Sequence, residues 1–414
     1  MEEVKIRKNP KKQGLIIFLC WMAYTVAYFG RYSYNSCITK IEEFYGVTHA
    51  ESGMVVTFFF FAYGVGQAVH GLLCKFYKKR QIIFGVLVAS SLINLAVFFG
   101  APFNIIKYLW LINGATQSVL WSSLIMIISR SLDEKHKKKA VLVMSTTVPA
   151  GTALVYGVGA IFVSVDAYVY IFLFSAIIMT ACAVAWFVFY KNEYATEETE
   201  EKNTIEKTKK SGLTKSLIVF LTINAVFAVF VNFLKDGIQT WSPSILKEVF
   251  SISDEVSIAL TVILPCLGVF GAVTALWLHE KIKNFGLETC IMFSAVTLLI
   301  FVITMLMKTD LWVLFVIVFG VIMLIMNGIN NLITSMVPLS LENNADTGAI
   351  AGILNCCCYA GSTISSYALG VVAETYGWRG VFDLFFICSV AVTVTAALFA
   401  AISAIAKKKT KIIK

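Results

Sequence analysis

Long apolar runs alternate along the chain with short polar or charged breaks. The runs fall at about 14–38, 51–74, 81–100, 105–130, 140–164, 168–190, 215–240, 256–280, 286–307, 311–336, 347–373 and 380–406. Each is close to or above the ~20 residues a helix needs to cross a bilayer. None shows the ten-residue alternation of a lipid-facing barrel strand. Hydrocarbon offers no partner to a backbone N–H or C=O, so spans of this kind satisfy those groups internally as helices. The pattern predicts an all-α integral membrane protein with twelve transmembrane helices.

Composition strengthens this reading. The 414 residues are 58% hydrophobic and 14% charged, against about 45–50% and 25% in soluble domains. Soluble enzymes, disordered chains and disulfide scaffolds are thereby excluded. Lys and Arg set the orientation. A cytoplasmic N-terminus puts 27 of the 34 on the inner side, in clusters before residue 13, at 75–80, 130–139, 191–215 and 281–283, and after 406. Lys40, Lys107, Lys247, Lys308 and Arg379 fall outside. Both termini are expected in the cytoplasm of a cell whose plasma or inner membrane holds the protein. The net charge of +9 is then a topology signal rather than a nucleic-acid footprint, because its clusters border spans. The first run follows Lys8, Lys11 and Lys12, but its length, its Arg31 and its lack of a small-residue cleavage site read as a retained helix rather than a signal peptide.

Cysteine adds no chemistry. The ten residues lie almost wholly in spans without a C-x-x-C pair, and Cys356, Cys357 and Cys358 point in different directions around one helix. They read as packing residues. No metal and no cofactor is expected. The segment 191–214, containing EYATEETEEKNTIEKTKKSG, is charged and poor in core formers, as a flexible tether is. It separates an N-terminal six-helix bundle at 1–190 from a C-terminal one at 215–414.

The halves repeat. Residues 29–52 align with 233–257, matching Arg31 to Lys235, Glu43 to Glu248 and Glu51 to Glu255. Asn113-Gly114 matches Asn327-Gly328, and Ala150-Gly151-Thr152 matches Ala360-Gly361-Ser362. Two pseudo-symmetric bundles about an axis normal to the membrane are the architecture of the major facilitator superfamily, with substrate near mid-depth. GLLCKFYKKR at 71–80 stands where that superfamily carries its loop signature, without the usual acidic residue.

Ionisable groups well inside spans are few: Arg31, Lys235, Asp236 and, near an inner end, His70. A charge at the bilayer centre costs at least about 3 kcal/mol on insertion scales, so each is expected to meet a cavity or a partner. Snorkelling and a structural ion pair are the alternatives for Arg31. Its equivalence to Lys235 favours a pair of cations facing one another to grip a dianion. Tyr24, Tyr28, Arg31 and Asn35 share one helical stripe, as do Asn224, Lys235 and Gln239, and Asn355, Tyr359, Ser362 and Ser366. Taken singly, such stripes are also how helices hydrogen-bond one another. Asp236, one residue on, is expected to point about 100° from Lys235 and to serve either a neighbouring helix or proton coupling.

At these positions the chain resembles the organophosphate:inorganic phosphate antiporter family, the glycerol-3-phosphate and hexose-phosphate transporters of the major facilitator superfamily. LKDGIQTWSPSILKEV at 234–249 is similar to that family's seventh-span block. Tyr24, Tyr28 and Arg31 resemble its first-span triplet, AYGVGQ at 62–67 its second-span element with Tyr63, and CYAGS at 358–362 its eleventh-span element with Tyr359. YGWRGVF at 376–382 resembles the turn that follows. The departures are Lys235 in place of an arginine, Asp236 after it, Gln67 in place of a lysine, and Thr147 in place of a histidine.

The resemblance implies exchange of a phosphorylated metabolite for inorganic phosphate by a rocker-switch cycle. Arg31, Lys235, Tyr24, Tyr28, Tyr63, Gln67, Asn35, Thr147, Gln239 and Tyr359 are the expected substrate-binding residues and Asp236 a candidate coupling group. The partners expected are a small anionic substrate, inorganic phosphate and lipid, with the protein acting as a monomer and no nucleic acid involved. Two alternatives stand beside it: a proton-coupled carrier of an organic acid or other solute, and a transporter-like sugar-phosphate sensor. An enzyme is not expected, since no nucleophile, base and orienting residue converge at a recognisable spacing.

Overall fold

The computed structural model describes residues 10–73, 76–191, 215–341 and 347–412. Apart from Lys191, the expected tether lies outside these residues. The helices are α1 (Pro10–Tyr32), α2 (Ile38–Tyr45), α3 (His49–Leu73), α4 (Lys79–Phe98), α5 (Phe103–Ser131), α6 (Glu134–Met144), α7 (Thr147–Ser164) and α8 (Tyr170–Phe189), then α9 (Lys215–Phe250), α10 (Asp254–Thr261), α11 (Ile263–Gly268), α12 (Phe270–Ile282), α13 (Phe285–Leu306), α14 (Trp312–Asn331), α15 (Val337–Ser340) and α16 (Thr347–Ile412).

Local chemistry explains where they stop. After α4, Gly100 takes φ 87°, a left-handed turn that suits glycine, and Pro102 then leads into α5. A π turn at Leu332–Met336 precedes Pro338, where proline removes a helical hydrogen bond. Gly377, at φ 67° and ψ 178°, breaks α16 in two.

Eleven segments among the described residues are long and apolar enough to span, the last of them Ile350–Ala401 at 52 residues. The break at Gly377 divides that one into two crossings, which restores the twelve read from the sequence. The seventh differs from expectation. Helix α9 runs on through Pro243 to Phe250 rather than ending at 240, a proline that membrane helices tolerate where neighbours satisfy the freed backbone.

The chain divides into two compact units. The first holds Met1–Val47, Met54–Lys210 and Asp254–Val262; the second holds Thr48–Gly53, Ser211–Ser253 and Ile263–Lys414. In each, a glycine lets two helices approach closely at equivalent places. A Cβ on Gly151 of α7 would meet Tyr28 Cβ at 2.7 Å and the Thr25 carbonyl at 2.8 Å on α1. In the second unit a Cβ on Gly361 of α16 would run into the Val229 carbonyl and meet the Phe233 nitrogen at 2.9 Å on α9. Thr25 and Val229 differ by 204 in number, the offset of the repeat, so the internal symmetry read from sequence recurs in the packing. Small residues allow such close approach where helices associate without a hydrophobic drive between them.

Candidate functional site

In the first unit the polar positions gather around Arg31. It lies in the last turn of α1, 5% exposed, where a helix C-terminus favours a cation. Its guanidinium carbon sits 4.4 Å from the ring centroid of Tyr63, 4.7 Å from that of Tyr28 and 5.3 Å from that of Phe59. Three aromatic faces thus attract the desolvated charge, each contact worth about 0.5–2 kcal/mol. Arg31 Nη1 also donates to Tyr28 Oη at 3.5 Å, Gln67 Nε2 donates to Tyr63 Oη at 3.0 Å, and the hydroxyls of Tyr24 and Tyr63 lie 3.4 Å apart. Tyr24 packs on Trp121 at 4.9 Å and on Tyr28 at 5.7 Å between centroids. The cluster is a cation walled by phenols, the donor set an oxyanion asks for.

A polar network holds the end of α1 beneath it. The Gly30 carbonyl belongs to the helix's last turn, where carbonyls run out of intrahelical donors. Asn113 Nδ2 donates to it at 2.7 Å and Asn94 Nδ2 at 3.5 Å. Ser90 Oγ and Gln117 Nε2 donate to Asn113 Oδ1 at 2.7 and 3.1 Å, and Ser33 Oγ donates to Asn94 Oδ1 at 2.7 Å. These groups are fully buried, so satisfying that carbonyl fixes the point from which Arg31 projects. Asn94, Gln117, Phe59 and Trp121 were missed as functional positions. The first two had a signal, amides inside apolar runs, whereas the aromatic pair has none.

One expectation of geometry needs correction here. Asn35 does not continue the stripe of Tyr24, Tyr28 and Arg31, because α1 ends at Tyr32 and Asn35 opens a 3₁₀ turn. It is buried at 2% exposure, but helical spacing does not govern its direction. Thr147, at the start of α7, is buried and gives its hydroxyl to the Met144 carbonyl at 2.6 Å, a bond within its own segment.

In the second unit Lys235 and Asp236 stand on α9. Their positions on the helix are about 100° apart, as the spacing requires, yet the two side chains meet. Lys235 Nζ lies 3.2 Å from Asp236 Oδ1, since a four-carbon arm spans the 100° between successive Cα directions. Asp236 Oδ2 accepts a hydrogen bond from Ser362 Oγ of α16. One turn earlier Asn232 Nδ2 donates to Asn330 Oδ1 at 2.9 Å, and Cys358 Sγ donates to the same oxygen at 3.4 Å. Gln239 is buried one turn after Lys235, and Tyr359 is half-buried on α16, beside Cys358 in sequence. His70, three residues beyond Gln67 on α3, pairs with Tyr77 Oη at 2.6 Å.

A family model described as the Major Facilitator Superfamily matches residues 20–365. The chain belongs to the Major Facilitator Superfamily. Among curated relatives, it is 20% identical over 415 residues to the membrane sensor protein UhpC of Escherichia coli, covering 92% of this chain and 90% of that protein. It is 21% identical over 425 residues to a probable hexose phosphate transport protein of Chlamydia trachomatis, covering 93% and 90%. Its fold is similar to a D-xylose-proton symporter, with a TM-score of 0.73 at 12% identity over 92% and 96% of the two chains. A bacterial homologue of the human lysosomal transporter Spinster gives 0.71 at 13% identity over 97% and 98%. The relatives agree with the resemblance carried by the first- and seventh-span motifs. This superfamily member is a multi-pass membrane protein of transporter type, not an enzyme.

Proposed function

We propose that this protein is a secondary transporter for a phosphorylated metabolite, a sugar phosphate or glycerol phosphate, which it exchanges for inorganic phosphate by alternating access. The observation that carries the proposal is Arg31, buried against three aromatic rings with tyrosine hydroxyls and the Gln67 amide alongside. The names of the hexose-phosphate relatives support the substrate class. On this reading Arg31 and Lys235 act on the transported anion, Tyr24, Tyr28, Tyr63 and Tyr359 donate phenolic hydrogen bonds, and Gln67, Asn35, Thr147 and Gln239 complete the binding set. The halves 1–190 and 215–414 move as bundles on the tether 191–214, both termini lie in the cytoplasm, and one chain suffices.

An anion bound at Arg31 offsets the cost of keeping that charge from water, so loaded protein changes conformation more readily than empty protein. Reconstituted vesicles preloaded with phosphate test this. Labelled phosphate should exchange in the wild type and fall at least tenfold in Arg31→Gln, with wild-type thermal stability retained in detergent. Undiminished exchange by the variant refutes the proposal.

The similarity to UhpC supports a second reading, a sugar-phosphate sensor. Saturable binding of a hexose phosphate without flux in the same vesicles selects it.

A further inference from the structure

Resting on the phosphate reading above, we infer that Asp236 sets the charge of the transported species: the protein takes a singly charged phosphoryl group, or a doubly charged one together with a proton on Asp236.

The inference starts from how completely Asp236 answers Lys235. Its Oδ1 lies 3.2 Å from the ammonium and its Oδ2 accepts the Ser362 hydroxyl, with the side chain 12% exposed. Both oxygens are therefore held, and in a medium of low dielectric a paired carboxylate cancels most of the field of its partner. Among the described residues, the elements of the second unit packed on this stretch of α9 add no charge to restore it. Helix α14 and the π turn after it, Trp312–Asn331 and Leu332–Met336, contain no Asp, Glu, Lys, Arg, His, Cys or Tyr, and α14 offers the Asn330 amide. Helix α16 carries no Asp, Glu, Lys, Arg or His between Thr347 and Glu374. Its titratable groups there are Cys356, Cys357, Cys358, Tyr359 and Tyr367, of which Cys358 feels both Lys235 and Asp236. With Asp236 ionised, the Lys235 site is electrically neutral. It supplies hydrogen-bond donors but no net positive charge.

Gln67, which stands where the resembled family has a lysine, is likewise neutral and spends a donor on Tyr63. On the proposed reading that Arg31 and Lys235 both act on the anion, a doubly charged phosphate ester therefore meets less compensating charge than two cations suggest. Burying it uncompensated is costly. One proton removes the excess, on the ester or on Asp236. The two placements have the same total charge and the same dependence on bulk pH.

Phosphate monoesters lose their second proton near pH 6, whereas a sulfate monoester stays singly charged throughout the neutral range. Binding of methyl phosphate and methyl sulfate to the purified protein, measured from pH 6 to 8.5, reads the difference. The wild type should lose affinity for methyl phosphate about tenfold per pH unit above pH 7 and show no slope for methyl sulfate. At pH 8 in weak buffer it should take up about one proton per methyl phosphate bound, followed with an indicator dye. Asp236→Asn should abolish both the slope and the proton uptake. Ser362→Ala keeps the carboxylate and should keep both, which separates the charge of Asp236 from its role in joining α9 to α16. If the variant misfolds, proton uptake by the wild type still decides. Methyl phosphate binding with no slope and no uptake in the wild type overturns the inference alone. No binding of any phosphate compound at any pH overturns the phosphate reading and this inference with it.

Discussion

Gly361 offers the sharpest test of the packing that positions the C-terminal site. Replacing it with alanine adds one methyl group on the face of α16 that touches α9. That methyl collides with the Val229 carbonyl and lies 2.9 Å from the Phe233 nitrogen, both backbone atoms of a helix that cannot rotate aside. The helices must separate, and overpacking of this kind costs about 1–3 kcal/mol. Gly352 provides the control on the same helix, since a Cβ there meets nothing within 4 Å. Alanine at 352 should be neutral, or favourable by up to about 1 kcal/mol through its higher helix propensity. At roughly 2–4 °C per kcal/mol for a domain of this size, Gly361→Ala should unfold about 2–12 °C below wild type in detergent. Gly352→Ala should match or exceed wild type. Ser362 follows Gly361 directly, so the first variant should also disturb the Asp236 hydrogen bond and lower substrate affinity. Equal melting temperatures for the two variants refute the claim that this contact fixes the helix pair.

Two further outcomes follow from pairs outside the proposed site. Glu288, with its side chain 0% exposed, lies within hydrogen-bond distance of His279 Nδ1 at 2.9 and 3.0 Å and accepts from the Asn284 nitrogen at 3.0 Å; His279→Ala should cost about 1–3 kcal/mol by leaving a buried carboxyl without its imidazole partner, while His279→Leu with Glu288→Leu should recover most of it, as melting temperatures will show. Asp133 caps α6, and the backbone N–H of His136, then the Gln13 side chain and the His136 side chain, hold its carboxyl well below the usual carboxylate range. A depressed carboxylate contributes stability above its unfolded pKa, near 3.9, and loses it as pH falls through the folded value. The melting-temperature gap between wild type and Asp133→Ala should be constant from pH 7 to 5 and should close as the pH falls below about 4.

How far the site was legible in sequence follows from the physics of each residue. Arg31, Tyr28 and Tyr63 were visible because a charge and phenols stand out in apolar runs, and the triplet at 24, 28 and 31 is spaced to share a helix face. Phe59 was not, since one phenylalanine among the 32 in this chain carries no mark of lying over a guanidinium. The Asn94, Asn113 and Gln117 network was half visible. Buried amides demand partners, but sequence does not say that the partner is the last-turn carbonyl of Gly30.

By itself, the sequence determined the helical class, the number of crossings, the repeat and the residues that carry charge into the bilayer, because the bilayer makes hydrophobic length and backbone satisfaction decisive. The tertiary structure decided which of those charges are already answered. Helical spacing places Lys235 and Asp236 100° apart, and only the packed helix pair shows the lysine arm folded onto the carboxylate with Ser362 of α16 at its other oxygen. Period fixes the face from which a side chain leaves its helix. The reach of that side chain, and what a distant helix brings to meet it, belong to the fold.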